Sequence, residues 1–222
     1  MFEMIIALAG KIALFSILPA VLLISLLLSS HKGKTPDPKI FFKLLSGGLL
    51  ILIPAVFAVS LLSGFFEGKG FVPELLSPFI AVSLIEESAK LTVIWLLLRR
   101  LPEGRTTGAA MIYSTAAAIG FAIGENILYL TGTDSIVPLM LLRGITSLPL
   151  HALCGAFMGL FLSENLRNTG SFSFLSLFVP VLLHGTYNTI LRLPSFWPIL
   201  IFPLLAGMFV LLIKLKASQE KN

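Results

Sequence analysis

Apolar positions along this chain run together in long blocks, and most polar ones are confined to short gaps. The blocks cover roughly Met4–Ser30, Ile40–Phe66, Leu75–Leu98, Thr107–Leu130, Ile136–Ser163, Phe172–Leu193 and Phe196–Leu215. A helix needs about 20 apolar residues to cross a bilayer, and each block supplies about that many or more. The gaps His31–Lys39, Glu67–Glu74, Arg99–Thr106, Thr131–Ser135, Glu164–Ser171 and Leu193–Ser195 are polar or rich in Gly and Pro, as turns require. This pattern predicts an all-α, polytopic transmembrane helix bundle of about seven spans, one domain over residues 1–222. No soluble domain fits between the spans, and no internal repeat is strong enough to argue an inverted-repeat transporter. The fifth block is too long for one upright helix. It contains Pro138 and Pro149, so a tilt, a kink or a short interfacial piece is expected.

The exceptions to the pattern carry the chemistry. Glu86, Glu87 and Lys90 interrupt the third block at its middle. At about 1.5 Å per residue, Glu86 lies about 20 Å from Pro73 and about 20 Å from Arg99, near the bilayer midplane. Ionisable groups at that depth are costly and usually mark function. Glu86 and Lys90 stand one helical turn apart and can pair, while Glu87 points about 100° away. The fourth block, dense in Gly and Ala, suits close helix packing and ends in Glu125-Asn126. Glu125 and Arg143 are equally spaced about Asp134, so a hairpin brings them to similar depth. A structural ion pair and a chemical role are both open for them, and Asn126 can cap or bridge helices. His151 lies in the fifth block with Gly155 one turn later; His184 and Asn188 share a face of the sixth. A single buried histidine is usually a packing residue. Two histidines, two adjacent glutamates and an asparagine on three helices at similar depth would cost several kcal/mol to bury idly. A polar site between the third to sixth helices is therefore expected.

Composition agrees. Only 12% of the residues are charged and 56% are hydrophobic, where a soluble domain carries about 25% charged. The net charge of +5 sits at block ends, where it orients spans, and calls for no nucleic acid. Lys and Arg concentrate in the first, third and fifth gaps and the tail. A multi-pass membrane protein follows, with the N-terminus outside and the C-terminus cytoplasmic, and its expected location is the cell (plasma) membrane. Glu3 precedes the first block, with neither a basic start nor a small-residue cleavage site, so that block reads as a permanent span. The lone Cys154 excludes an internal disulfide framework and reads as a small packing residue. Lys11 is expected to snorkel, His31 to be solvated, Trp95 and Trp197 to be interface or packing aromatics, and Glu67, Glu74, Glu103 and Glu164 to be surface charges.

Four motifs stand in order: Glu86-Glu87-x-x-Lys90, Phe121-x-x-x-Glu125-Asn126, His151-x-x-x-Gly155 and His184-x-x-x-Asn188. Together they resemble the PrsW family of intramembrane proteases. That family shares a superfamily with the CAAX prenyl endopeptidases and the APH subunit of γ-secretase. The resemblance spans about residues 73–193, which would be the catalytic core. In the prenyl-endopeptidase branch the first motif is Glu-Glu-x-x-x-Arg and the second Phe-x-x-x-His. Here Lys90 comes one position earlier and Glu125 stands where that His would be; both departures fit the PrsW branch.

The resemblance implies a glutamate-dependent intramembrane endopeptidase, without metal or other cofactor. Its substrate would be a membrane-anchored, single-pass protein resembling an anti-sigma factor, cut in or near its span. The expected catalytic residues are Glu86, Glu87, His151, His184 and Asn188, with Lys90, Glu125 and Arg143 supporting. Glu86 is expected to be the base on water, and Glu87 to relay a proton or orient His151. His151 would polarise or position the water, and His184 and Asn188 would bind the scissile carbonyl. Three alternatives remain: a zinc-dependent metalloprotease, although no H-E-x-x-H helix is present; a proton-coupled transporter; and a non-enzymatic scaffold.

Overall fold

The computed structural model describes residues 10–11, 13–29, 36–66, 68–132 and 136–219. Expectations for His31, Lys32, Lys34, Glu67 and Asp134 lie outside the described residues, as does much of the first block. The described chain is helical, with no strand among the described residues. A π-helical turn, Ala13–Ile17, leads into α1 (Leu18–Ser29). Then come α2 (Pro38–Ser63), α3 (Phe71–Ser77), a π-helical stretch Pro78–Ser83 and α4 (Leu84–Leu98). A short 3-10 turn, Pro102–Arg105, precedes α5 (Thr107–Gly132) and α6 (Ile136–Asn168). The chain closes with α7 (Leu175–Leu191), a 3-10 turn Trp197–Leu200 and α8 (Ile201–Gln219).

In lipid, backbone N–H and C=O groups have no water to bond, so each apolar block takes the form that satisfies them internally. Among the described residues, four stretches are long and apolar enough to cross a membrane: Pro38–Ser63, Thr107–Tyr129, Leu141–Asn168 and Trp197–Ser218. The protein buries 72% and 78% of an 18-residue apolar segment in α5 and in α6, against 22% and 17% of those in α2 and α8. α5 and α6 therefore form the centre, and α2 and α8 present apolar flanks such as Phe42, Phe57 and Phe209 to the surroundings.

The fifth block resolves as one helix of 33 residues, α6, unbroken at Pro149. Its length of about 50 Å exceeds the about 30 Å hydrocarbon core, so it tilts or projects beyond it. It runs past the apolar block into Glu164 and Arg167, whose guanidinium donates to Arg105 O at 3.0 Å and Thr107 Oγ1 at 2.9 Å. At the start of α2, Asp37 accepts from Lys39 N at 2.7 Å, with Pro38 following as the first helical residue. The Asp37 N–H donates to Tyr113 Oη at 2.8 Å, tying this end to α5.

Small residues let the central helices touch along their backbones. A Cβ on Gly48 would lie 1.8 Å from Ala117 O, and one on Gly120 would lie 1.9 Å from Leu45 O. α2 and α5 thus meet through glycine from both sides, the close approach that small residues permit between membrane helices. Gly48→Ala is expected to destabilise the protein by about 1–3 kcal/mol, the usual cost of overpacking. An SDS titration followed by circular dichroism checks this; an unmoved midpoint would show that the two helices separate freely.

Candidate active site

Helix α4 begins just after the π-helical stretch, where Ser83 Oγ donates to Pro78 O at 2.7 Å. π-helical turns widen a helix and often occur at functional sites. α4 then carries Glu86, Glu87 and Lys90 inward; all three are buried, Glu87 and Lys90 fully.

Lys90 does not pair with Glu86. Its Nζ lies 2.6 Å from Glu87 Oε1, donates to His151 Nδ1 at 3.0 Å, and sits 4.7 Å above the centre of the Phe121 ring. Residues three and four apart on a helix are equally reachable. The position of His151, on α6, makes the difference: one ammonium can reach both His151 and Glu87. Glu86 is left facing the cavity.

His184 comes from α7. Its Nδ1 meets Glu87 Oε1 at 2.5 Å, and its Nε2 lies 4.0 Å from Glu86 Oε2. Gly185 permits this approach: a Cβ there would lie 2.1 Å from a ring carbon of Phe79, in the π-helical stretch before α4. Gly185→Val is expected to push α7 off that stretch and lower turnover at least about tenfold, because small misplacements of reacting groups are costly. A variant with wild-type turnover would show that Phe79 simply moves aside.

The His151 and His184 rings stand nearly perpendicular, 87° apart with centroids at 5.0 Å. On its far side His151 Nε2 meets Glu125 Oε2 at 2.9 Å. That oxygen also receives Arg143 Nη2 at 2.9 Å. Arg143 further donates to Asn126 Oδ1 at 2.9 Å and Ser147 Oγ at 3.3 Å, and lies 3.8 Å above the Tyr129 ring centre. Glu125 and Arg143 do face each other across the α5–α6 pair, and Glu125 also contacts His151. Glu87 was expected to relay a proton or to orient His151; its Oε1 meets His184 and Lys90, and it reaches His151 only through the Lys90 ammonium.

These residues border a cavity of about 560 Å³, lined by Glu86, Glu125, Arg143, His151, His184 and Asn188 among others. Its lining also includes exposed Ser60, Tyr129 and Arg192, at the C-terminal ends of α2, α5 and α7. Asn188 lies half-buried one turn beyond His184. Ser147 and Tyr187 also line it, and Tyr187 Oη shares a hydrogen bond with Thr146 Oγ1 at 2.9 Å. Sequence reasoning missed both. The one available signal was spacing: Ser147 precedes His151 by a helical turn, and Tyr187 lies just ahead of Asn188.

The model of the PrsW family intramembrane metalloprotease matches residues 35–214 of the chain. A protein named Protease PrsW from Oceanobacillus iheyensis is 28% identical over 210 residues, covering 93% of this chain and 95% of that one. Its namesake from Clostridioides difficile is 25% identical over 167 residues, 72% of this chain and 69% of its own. The Bacillus subtilis namesake is 30% identical over 135 residues, 59% of this chain and 61% of its own. No solved structure matches.

The family description names a metal, and the donor set can be tested against it. Glu86, Glu87, His151 and His184 each offer a ligand atom, all within 4.8 Å of one another. His151 has both nitrogens engaged, by Lys90 and Glu125. Oε2 of Glu86 and Oε2 of Glu87 have no hydrogen-bond partner, and His184 Nε2 faces the first of them. Three donors therefore remain, the number a catalytic zinc takes from protein. Glu86, Glu87 and His184 fit such an ion, though the Lys90 ammonium beside Glu87 opposes it. The match runs through every helix that supplies the site, and on that extent the chain belongs to the PrsW family of intramembrane proteases.

Proposed function

We propose that the chain is a glutamate-dependent endopeptidase that cuts a single-pass, membrane-anchored protein in or near its span, without a metal. The observation that carries this is the pairing of Glu86 Oε2 and His184 Nε2 across 4.0 Å at the cavity. One oxygen atom, from water or a scissile carbonyl, can lie within hydrogen-bond reach of both, since such bonds span about 2.7–3.0 Å.

Charge explains how the pair works. Three carboxylates (Glu86, Glu87 and Glu125) face two permanent cations (Lys90 and Arg143). A buried set tends toward neutrality, which requires one more proton, shared between Glu86 and His184. With the proton on His184, Nδ1–H donates to Glu87 and Nε2–H is free to donate to the scissile oxygen. Glu86 is then ionised and serves as base. Water attacks the carbonyl carbon and passes a proton to Glu86, while His184 and Asn188 bond the developing oxyanion. The C–N bond then breaks, and Glu86 returns the proton to the leaving amine. Glu87 orients His184, and Lys90 keeps Glu87 ionised.

Exposed Ser60, Tyr129 and Arg192 line the cavity at the end of the bundle that the Lys and Arg distribution assigns to the outside of the cell, so the proposed cut lies toward the outer side of a plasma-membrane substrate. A helical substrate must unwind there first, because its backbone is already satisfied. The family resemblance favours an anti-sigma factor or a similar regulator as that substrate.

A metal-dependent route is the second reading, favoured by the partnerless Oε2 atoms of Glu86 and Glu87. Glu86, Glu87 and His184 would hold the ion. When bound, it would polarise the carbonyl and make a bound water acidic. Reconstitution in liposomes with a labelled single-pass substrate separates the two. Cleavage unchanged after 1,10-phenanthroline, in protein metal-free by elemental analysis, is the expected result. Loss on chelation restored by zinc would establish the second reading, and no cleavage of any single-pass substrate would remove both.

A further inference from the structure

We propose that Glu125, anchored by Arg143, is a positioning residue that holds His151 in one tautomer, with the proton on Nε2. Among the described residues, the imidazole nitrogen left free to meet a substrate is then Nε2 of His184. This deepens the peptidase reading and rests on it for its effect on turnover.

The argument is a donor and acceptor count. Lys90 Nζ carries only hydrogens to give. At 3.0 Å from His151 Nδ1 it must donate, so Nδ1 is the bare nitrogen. The ring hydrogen is therefore on Nε2, which meets Glu125 Oε2 at 2.9 Å and donates to it. The carboxylate is held in turn: Arg143 Nη2 lies 2.9 Å from the same oxygen, and Arg143 is fixed by Asn126, Ser147 and the Tyr129 ring. His151 is 1% exposed and bonded at both nitrogens. It has no lone pair to offer water and no hydrogen to offer a carbonyl. Among the described residues, His184 Nε2 has no partner within hydrogen-bond distance, with Glu86 Oε2 at 4.0 Å the nearest ionic group. The two imidazoles are thus divided in role: His151 braces Lys90, which braces Glu87, and His184 meets the substrate.

The tautomer is read directly from the ring nitrogen shifts of ¹⁵N-histidine-labelled protein in micelles, using His31→Gln to simplify the spectrum. The expected result is a His151 ring with Nδ1 bare and Nε2 protonated. A ring protonated at Nδ1, or one averaging between tautomers, would overturn the proposal, whether or not any substrate is cleaved. Kinetics add a second arm. Glu125→Ala leaves Lys90 donating to Nδ1 but takes the acceptor from Nε2–H, so the ring loses one of its two anchors; kcat should fall about 10–100-fold with KM within about threefold, the usual scale for loss of a partner behind a reacting group. Glu125→Gln keeps an oxygen acceptor for Nε2–H. It should retain the wild-type ring signature and kcat within about fivefold. A Glu125→Gln enzyme as slow as Glu125→Ala but with the ring signature intact would make Glu125 a chemical participant and refute the positioning role. Wild-type kcat in Glu125→Ala would refute it as well. Failure of the peptidase reading looks different: no single-pass substrate would then be cleaved by the wild-type protein while the ring signature stood.

Discussion

Glu86→Gln abolishes cleavage, with an expected loss of about 10³-fold or more in kcat. The amide preserves the shape of the side chain but cannot take a proton from water, and a positioned general base contributes about 10²–10⁴-fold. Folding should be spared. Glu86 Oε2 has no hydrogen-bond partner in the protein, and no ion pair closer than the 4.0 Å contact to His184 involves it. In Glu86→Gln, two carboxylates face the two permanent cations, so removing the charge strands no buried ion. The measurement is single-turnover cleavage of a reconstituted single-pass substrate, alongside the unfolding midpoint of the same preparation. Cleavage at the wild-type rate would take Glu86 out of the reaction, and His184 with Glu87 would be the next pair to consider. His184→Ala should be nearly as damaging, because it removes the proposed oxyanion donor and leaves Glu87 without one of its two partners.

Lys90→Met has the largest expected effect on stability, a loss of about 3–5 kcal/mol. Methionine has nearly the same bulk, so the cost comes from charge. Glu87 is fully buried, one of its oxygens is already partnerless, and the other relies on Lys90 at 2.6 Å and on His184. Breaking a buried pair from one side strands the remaining ion, which is costlier than replacing both. The double variant Lys90→Met with Glu87→Gln should accordingly recover most of the loss. SDS-induced unfolding of the two singles and the double closes the cycle. Additive losses would show that Lys90 and Glu87 stabilise the bundle independently, which their separation makes hard to credit.

Much of the architecture was written locally. A run of apolar residues in lipid must become a helix, because no other form satisfies its backbone. For this reason the blocks from Ile40 onward appear as helices, and α6 runs unbroken through Pro149. The Gly and Ala pattern of α5 likewise announced close packing, and Gly120 against Leu45 is an instance of it. The residues of the polar site were legible for a similar reason: a charge in the middle of an apolar block is too costly to keep without use. Ser147 and Tyr187 escaped notice because a hydroxyl in a membrane helix costs little and stands out from nothing.

The wiring among those residues was not legible, and the cause is distance along the chain. A helix places Lys90 within reach of both Glu86 and Glu87; His151, brought in by another helix 61 residues later, draws it to Glu87. Glu87 meets His184 across 97 residues and Glu125 meets His151 across 26. Spacing rules operate within one helix, so amino-acid order could name the participants. Which carboxylate steadies which imidazole, and which one is left open to a substrate, depends on how the helices pack against one another.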